Sequence, residues 1–479
     1  MATTAWRGLP YVGPDFFNII PIEATQNIAS FIELDKDLCA FRAAGRTLRD
    51  AIEADSGSFW RRRFLDIFER PVEAWNGGKG NLMFKNAYQK RRSALKCGAQ
   101  FTTGGSEREK MCLEVVRDLV VDSFSEKHNE SSTYEYDAKN LQYVKKFVVD
   151  NYDMLMLFMP QKTSRRFGPP SAPSRMMQTL QAICAPMLLS FNPTFENHHY
   201  GFPDSQTTVY STIDNHPIFT GCHHLDVSMP YVLHNLNFWK YHMLREAEGT
   251  LYYPFSDLEH DEQPRWWDSQ FQQGIHKLGK HWKGSYAFVE RGEIDAMRAG
   301  GNDEQIQDVF AGEDGFSTFQ DMTLQLTDDD ESAWPLVFEQ HLRSLTPPES
   351  RARTRAQQRS AKPEAVDKYR PQSFHFEGEG QDVTEKFLAS GWLKALPPQE
   401  GIPGWQRLTM MKYFEDEDGS IDHQGLWAYE GVVLPGGQIV VGRWWSPTDD
   451  DNEGVYSGPF ILWCVDGAKN AEQAEDGDE

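Results

Sequence analysis

The stretch WAYEGVVLPGGQIVVGRWW, Trp427 to Trp445, decides the fold. Trp427, Tyr429, Gly431 and Val433 alternate with their neighbours. Leu434-Pro435-Gly436-Gly437 then interrupts, and Ile439, Val441 and Arg443 resume the alternation. A period of two is the mark of a strand, because successive side chains point to opposite faces. Two such runs around Pro-Gly-Gly predict a hairpin, since glycine supplies the positive φ of a tight return. Further strands are expected along the same line. Phe460, Leu462 and Cys464 predict a final strand, Phe374 and Phe376 an earlier one, and Leu408, Met410 and Lys412 a weaker match. Trp282, Gly284, Tyr286 and Phe288 alternate too, as do Met322, Leu324 and Leu326. The Trp282 and Trp427 strands both carry glycine inside an aromatic run. Such a glycine marks a sharp bend, as at a barrel corner. Both are therefore expected in one curved sheet.

Ahead of the strands the period is helical. Ile22, Ile28, Phe31 and Ile32 follow helical spacing after Pro21, which fits a first turn. Leu38 and Phe41 belong to a second segment capped by Asp35, and Leu48 and Ile52 to a third. Phe59-Trp60 opens a fourth, with Phe64, Ile67 and Phe68 on one face. Helices are also expected over 107–124, around Leu141–Val148, and over 176–189. The expected class is α+β: a helical N-terminal bundle, more helices, and a β-rich barrel-like or sandwich body. The expected divisions are a helical domain over 15–70, a helical region over 71–195, a β-rich region over 196–345, a linker or solvated loop over 346–371, a β-rich part over 372–466 belonging to the same body, and an acidic disordered tail over 467–479.

Composition sets limits on function. The 479 residues allow about three domains at roughly 150 residues each. A formal charge of −23 argues against a nucleic-acid footprint for the chain as a whole. The 13% aromatic content is that of a folded, β-rich chain. No run of about 18 apolar residues exists, so no membrane span is expected, and Met1 to Pro10 lacks the pattern of a secretory signal. Six cysteines without a CxxC pair suggest reduced, mostly buried thiols in a cytoplasmic or nuclear protein.

Ile20-Pro21-Ile22-Glu23, Ile28, Phe31-Ile32, Asp37-Leu38, Phe41-Arg42, Ala44, Arg46, Leu48 and Phe59-Trp60 keep one spacing over about 50 residues. The stretch resembles the F-box, whose pattern opens on Leu-Pro-x-Glu, continues through Asp-Leu and Leu-Arg, and closes on Leu-Trp. Ile20, Ala24, Ala44 and Leu48 depart from the usual residues but stay apolar. The resemblance implies a docking module for a Skp-family adaptor, which bridges to a cullin. By position it implies Pro21, Ile22, Ile28, Phe31, Ile32, Leu38 and Phe41 as the adaptor-binding residues. A domain this short cannot bury all its apolar surface alone, which suits docking. The same residues would equally serve as the core of a plain helical bundle. A helix-turn-helix DNA reader suits the local arginines Arg42, Arg46, Arg49 and Arg61-Arg62-Arg63, but the net charge opposes it. The C-terminal part shows neither Trp-Asp nor leucine-rich repeats and is similar to a β-domain of uncharacterised fungal F-box proteins.

Chemistry-bearing motifs are sparse. His216, His223, His224, His234 and His242 cluster with Cys222, but without HExxH or paired cysteines they read as structural or surface residues rather than a metal site. Asp328-Asp329-Asp330-Glu331 and Asp449-Asp450-Asp451 lack calcium-loop spacing. Gly77-Gly78-Lys79-Gly80 is not a phosphate loop, and there is no GxSxG. Arg443, Trp444 and Trp445 are the target-binding candidates, Arg443 because a guanidinium clamps a carboxylate or phosphate in two places. Buried, the tryptophans of this part would simply fill a β core. The expected function is therefore the substrate-recognition subunit of an SCF-type cullin ubiquitin ligase, non-catalytic, without cofactor or metal, binding an unknown target protein and neither nucleic acid nor membrane. The alternative is a ligand-binding β-barrel or a metal-dependent enzyme with a structural N-terminal bundle.

Overall fold

The computed structural model describes residues 19–54, 57–72, 80–97, 107–126, 138–151, 173–191, 201–246, 251–276, 278–300, 306–310, 319–327, 338, 342, 373–381, 386–416, 418–447 and 455–466. The expected linker at 346–371, the tail at 467–479 and the acidic runs at 328–331 and 449–451 lie outside the described residues. The chain forms two compact units: residues 1–98 with 122–143, and residues 99–121 with 144–479.

The first unit is helical. It holds α1 (Ile22–Ser30), α2 (Asp35–Ala44), α3 (Arg46–Glu53), α4 (Ser58–Ile67) and α5 (Gly80–Cys97). Leu38, Leu48, Ile52, Phe59, Trp60, Phe64, Phe84 and Tyr88 are its buried core. The rings interlock: Trp60 lies 5.6 Å from Tyr88 and Phe64 lies 5.2 Å from Phe84. The unit therefore extends past the expected boundary at residue 70, because α5 completes the core. It also ties the earlier helices by charge. Lys85 and Arg42 both reach the Glu53 carboxylate, at 2.7 and 2.6 Å. The Tyr88 hydroxyl donates to Asp35 at 2.6 Å, and Arg92 pairs with the other oxygen at 2.7 Å. Burial pushes the Asp35 carboxyl up, but Tyr88 and Arg92 outweigh it and hold it below 3.8.

The second unit carries the β body. Its strands are β1 (Phe219–Thr220), β2 (Asp226–Val227), β3 (His281–Phe288), β4 (Val309–Phe310), β5 (Gln320–Thr327), β6 (Ser373–Gln381), β7 (Lys386–Ala395), β8 (Gln406–Tyr413), β9 (Trp427–Val433), β10 (Ile439–Trp445) and β11 (Ser457–Cys464). β1 and β2 form a separate two-stranded piece. From β5 to β11 each strand pairs with the next, β3 pairs with β5, and β11 returns to β3. The result is a closed, antiparallel, eight-stranded barrel, so the class is α+β with a barrel body. Closure leaves no open edge among these eight strands.

The hairpin read from the sequence is present. Leu434 and Ile439 close it at 2.9 Å, and Gly436 and Gly437 take φ of 94° and 69°. One face of every barrel strand supplies the interior: Trp282, Met322, Phe376, Phe387, Leu408, Tyr429, Trp444 and Phe460 are among the buried residues of one cluster. A Cβ on Gly442 would fall 2.6 Å from the Phe460 ring and 2.1 Å from the Glu430 carbonyl oxygen. Only glycine fits there, which accounts for a glycine within an aromatic strand.

The expected β-rich region at 196–345 is corrected. The barrel begins at His281, and helices Phe202–Tyr210 and Met229–Leu244 precede it. Helix Met229–Leu244 is buried on almost every side, from Tyr231 and Leu233 to Trp239 and Met243. A helix buried all round, with Asn235, Asn237, Lys240 and His242 scattered among its apolar residues, shows no clean apolar stripe, so its period is hard to read. The helix lies on the outer barrel face, where the Asn235 amide donates to the Gly442 carbonyl at 2.9 Å.

His234 on this helix and His216 close to it make a pH prediction. Burial holds the His234 imidazole below 6.5, with His216 adding to the effect and Asp204 opposing it; burial lowers His216 as well, with Arg443 adding. A lowered folded value means that the unfolded chain takes up the proton first. Stability is thus complete above 6.5 and is lost as the pH falls through the folded value. The Asp35 contribution persists until the pH drops below 3.8, so the two windows separate. The urea midpoint of the second unit should fall between pH 7.5 and pH 5.5. His234→Asn should flatten that fall; an unchanged slope would exclude His234 as its source.

Candidate functional site

An accessible apolar surface of the helical unit is built where α1 gives way to α2. α1 ends at Ser30, and Phe31 accepts the change of direction with its N–H on the Ile28 carbonyl at 3.2 Å. Leu34 precedes α2, and its carbonyl receives the N–H groups of Asp37 and Leu38, both at 3.0 Å. The short connection is held from below by Arg63. This buried side chain donates to the Glu33 carbonyl at 2.9 Å, the Ser30 carbonyl at 3.4 Å and the Tyr88 hydroxyl at 3.2 Å. Its charge is spent on backbone, so the Arg61–Arg63 run is not a uniform basic surface. The connection is thereby pinned with its side chains outward: Phe31 is 84% exposed and Leu34 is 55% exposed.

A groove of about 660 Å³ runs from this connection along α2. It is lined by Phe31, Ile32, Leu34, Ala40, Phe41 and Ala44, with Glu33 and Asp37 beside them. Ile22 and Ile28 on α1 are also exposed, at 46% and 45%. Large aliphatic and aromatic side chains left in water together are candidates for an interaction surface.

The structure sorts the adaptor-binding candidates. Phe31, Ile32 and Phe41 come together in the groove. Pro21, Ile22 and Ile28 are exposed on and beside α1. Leu38 is corrected: at 2% exposure it is a core residue, packed inward from α2. Leu34, Ala40 and Ala44 were missed. The signal for Leu34 was its place immediately before the Asp35 helix start, where an apolar residue has no helical turn behind it to cover it.

The target-binding candidates are also corrected. Arg443 and Trp444 are buried, at 3% and 2% exposure. Trp444 points into the barrel, donates its indole N–H to the Ala287 carbonyl at 3.0 Å, and meets Trp427 and Tyr456 edge-on at 5.4 and 5.3 Å. Arg443 points the other way, under helix Met229–Leu244, with its guanidinium 5.1 Å from the Tyr231 ring centroid. Beside it, Glu430 is its cross-strand partner, and Glu430 in turn forms a buried ion pair with Arg407. Trp445 is half-buried against Phe338, Leu342, Met411, Leu426 and Ala428. Strand alternation explains the split: Trp444 faces in, and Arg443 and Trp445 face out beneath other elements.

The histidines disperse among separate partners. The His234 ring bonds the Ser205 hydroxyl at 3.1 Å, His242 bonds Asp308 at 3.0 Å, and His224 bonds the Phe219 carbonyl at 3.3 Å. Among the described residues no three His, Cys, Asp or Glu side chains gather as a metal site would need.

Cysteine chemistry follows burial. Burial pushes the Cys184 thiol up to about 12 and the Cys464 thiol to about 11, whereas Cys39 on α2 is exposed. The thiolate is the reactive species. Iodoacetamide followed by peptide mass mapping should label Cys39 at least tenfold faster than Cys184 or Cys464 in the native protein, with the difference vanishing in urea.

No helix of the described residues is long and apolar enough to cross a membrane. Comparison with protein-family models, with curated proteins and with solved structures finds no match.

Proposed function

We propose that the helical unit is an F-box-type docking module for a Skp-family adaptor of a cullin ubiquitin ligase, and that the barrel unit holds the target protein. The observation that carries this reading is the exposed apolar connection Phe31–Leu34 with its groove on α2. Within the stretch that resembles the F-box, Ile22, Ile28, Phe31 and Leu34 leave their apolar side chains in water, and an apolar face of this kind is stabilised by a partner. On this reading the protein acts by holding the target near the ligase, which raises effective concentration rather than making or breaking bonds.

The test is co-expression with a Skp-family adaptor and gel filtration of the product. A one-to-one complex supports the reading. Failure of the purified wild-type chain to bind the adaptor at micromolar concentrations would overturn it.

A further inference from the structure

The outer face of β8, β9 and β10 buries more positive charge than negative. Arg407, Glu430 and Arg443 are all buried there. Glu430 is spent on Arg407, its ion-pair partner. Arg443 stands opposite Glu430 in the register of β9 and β10, yet among the described residues no carboxylate lies within ion-pair distance of it. Two guanidiniums and one carboxylate leave one charge over.

The Arg443 side chain also has donors left over. Its Nη2 donates to the His216 carbonyl at 3.4 Å, and its guanidinium lies over the Tyr231 ring. Nε and Nη1 are buried and donate to nothing among the described residues. An unpaired buried cation is strongly destabilising, and so is an unmet buried donor.

The surroundings add to the excess. Arg298 donates to the Tyr210 and Val455 carbonyls and to the Ser457 hydroxyl, at 3.0, 2.9 and 2.9 Å, rather than to a carboxylate. Burial holds Arg298 below its ordinary value, with Arg443 and Arg291 adding and the exposed Asp295 opposing. His216 is held down in the same way, by burial first and Arg443 second. An uncompensated positive charge has this effect on cationic neighbours.

Water would satisfy the donors but brings no charge. An anion supplies both. Tyr231 and Asn235 of helix Met229–Leu244 cover this face at 1% and 0% exposure, so a target protein does not reach Arg443. A monatomic anion needs little more room than a buried water.

We propose that the closed layer between this helix and the barrel holds one small inorganic anion, of chloride size, on Arg443 Nε and Nη1. The site is independent of adaptor docking, and it makes the stability of the barrel unit depend on the anion in solution.

Thermal unfolding of the full-length protein is followed by tryptophan fluorescence while sodium chloride replaces sodium gluconate at constant ionic strength. An ion bound by the folded state alone should raise the midpoint of the barrel unit by about 2 °C for each tenfold rise in chloride above its dissociation constant. Bromide should act as chloride does. Arg443→Leu should lose the response. Arg49→Leu, at an exposed position of the helical unit, should keep it. A midpoint indifferent to chloride, or a response undiminished in Arg443→Leu, overturns the proposal. If Arg443→Leu does not fold, wild-type crystals grown in bromide decide: an anomalous peak against the Arg443 guanidinium supports the site, and no peak there overturns it.

Discussion

Phe31→Glu combined with Leu34→Glu should abolish capture of a Skp-family adaptor while the protein stays folded. Both side chains are mostly in water, at 84% and 55% exposure, so replacing them removes little from the core. At an interface, a buried aromatic or aliphatic anchor is worth about 2–4 kcal/mol, or roughly 30- to 700-fold in affinity per residue, and the added carboxylates oppose burial further. The pair should therefore take a micromolar or tighter complex beyond detection in a pull-down. Leu38→Glu would be the wrong instrument. Leu38 is 2% exposed, and a carboxylate in its place unfolds the unit, so any loss of adaptor would report stability. The circular dichroism melting curve separates the two cases: unchanged for the first variant, shifted or lost for the second. Retained capture by the folded Phe31/Leu34 variant would remove this surface from consideration.

A comparably large effect on stability is expected at Glu430. This carboxylate lies on the outer barrel face, buried, ion-paired to Arg407 on β8 and opposite Arg443 on β10. Arg407 also stacks on Phe219 at 4.7 Å and Arg443 on Tyr231 at 5.1 Å. Two guanidiniums thus flank one carboxylate beneath packed elements. Glu430→Ala leaves positive charge buried without its counter-ion, which costs about 3–5 kcal/mol, while Arg407→Leu with Glu430→Leu removes the ion pair but leaves the buried Arg443 guanidinium beside it, so the double should recover only part of that loss. Urea unfolding of the singles and the double reads this directly. A single variant as stable as the double would mean that Arg407 finds another partner.

The alternation from Trp427 to Trp445 made the hairpin legible, and the alternating runs around Trp282 and Met322 extended it to a curved sheet. The period alone does not distinguish a barrel from a sandwich, because closure depends on β11 meeting β3 across nearly two hundred residues. β7 also went unnoticed. Its stretch KFLASGWLKA is buried on both faces over Ala389–Lys394, so it lacks the polar beat of a half-buried strand. Helix Met229–Leu244 escaped for the corresponding reason. At the candidate site, the sequence supplied Phe31, Ile32 and Phe41 through family-like spacing, but it could not orient Leu38, since a two-residue shift on a short helix exchanges core for surface. Arg443 misled because its chemistry is that of a binding residue, and only its position between two inward-facing neighbours shows that it points beneath a helix.

Pairing of β11 with β3 has a consequence for how the chain comes into being. A ribosome that has delivered everything up to Trp445 has made seven of the eight barrel strands, yet β3 and β10 each still expose a row of unpaired backbone groups. The nascent body is an open sheet that invites pairing with neighbours until Ser457–Cys464 is released from the exit tunnel. Closure therefore waits on the last strand, and nonsense codons between Trp445 and Cys464 should produce aggregates rather than a slightly shortened but folded protein.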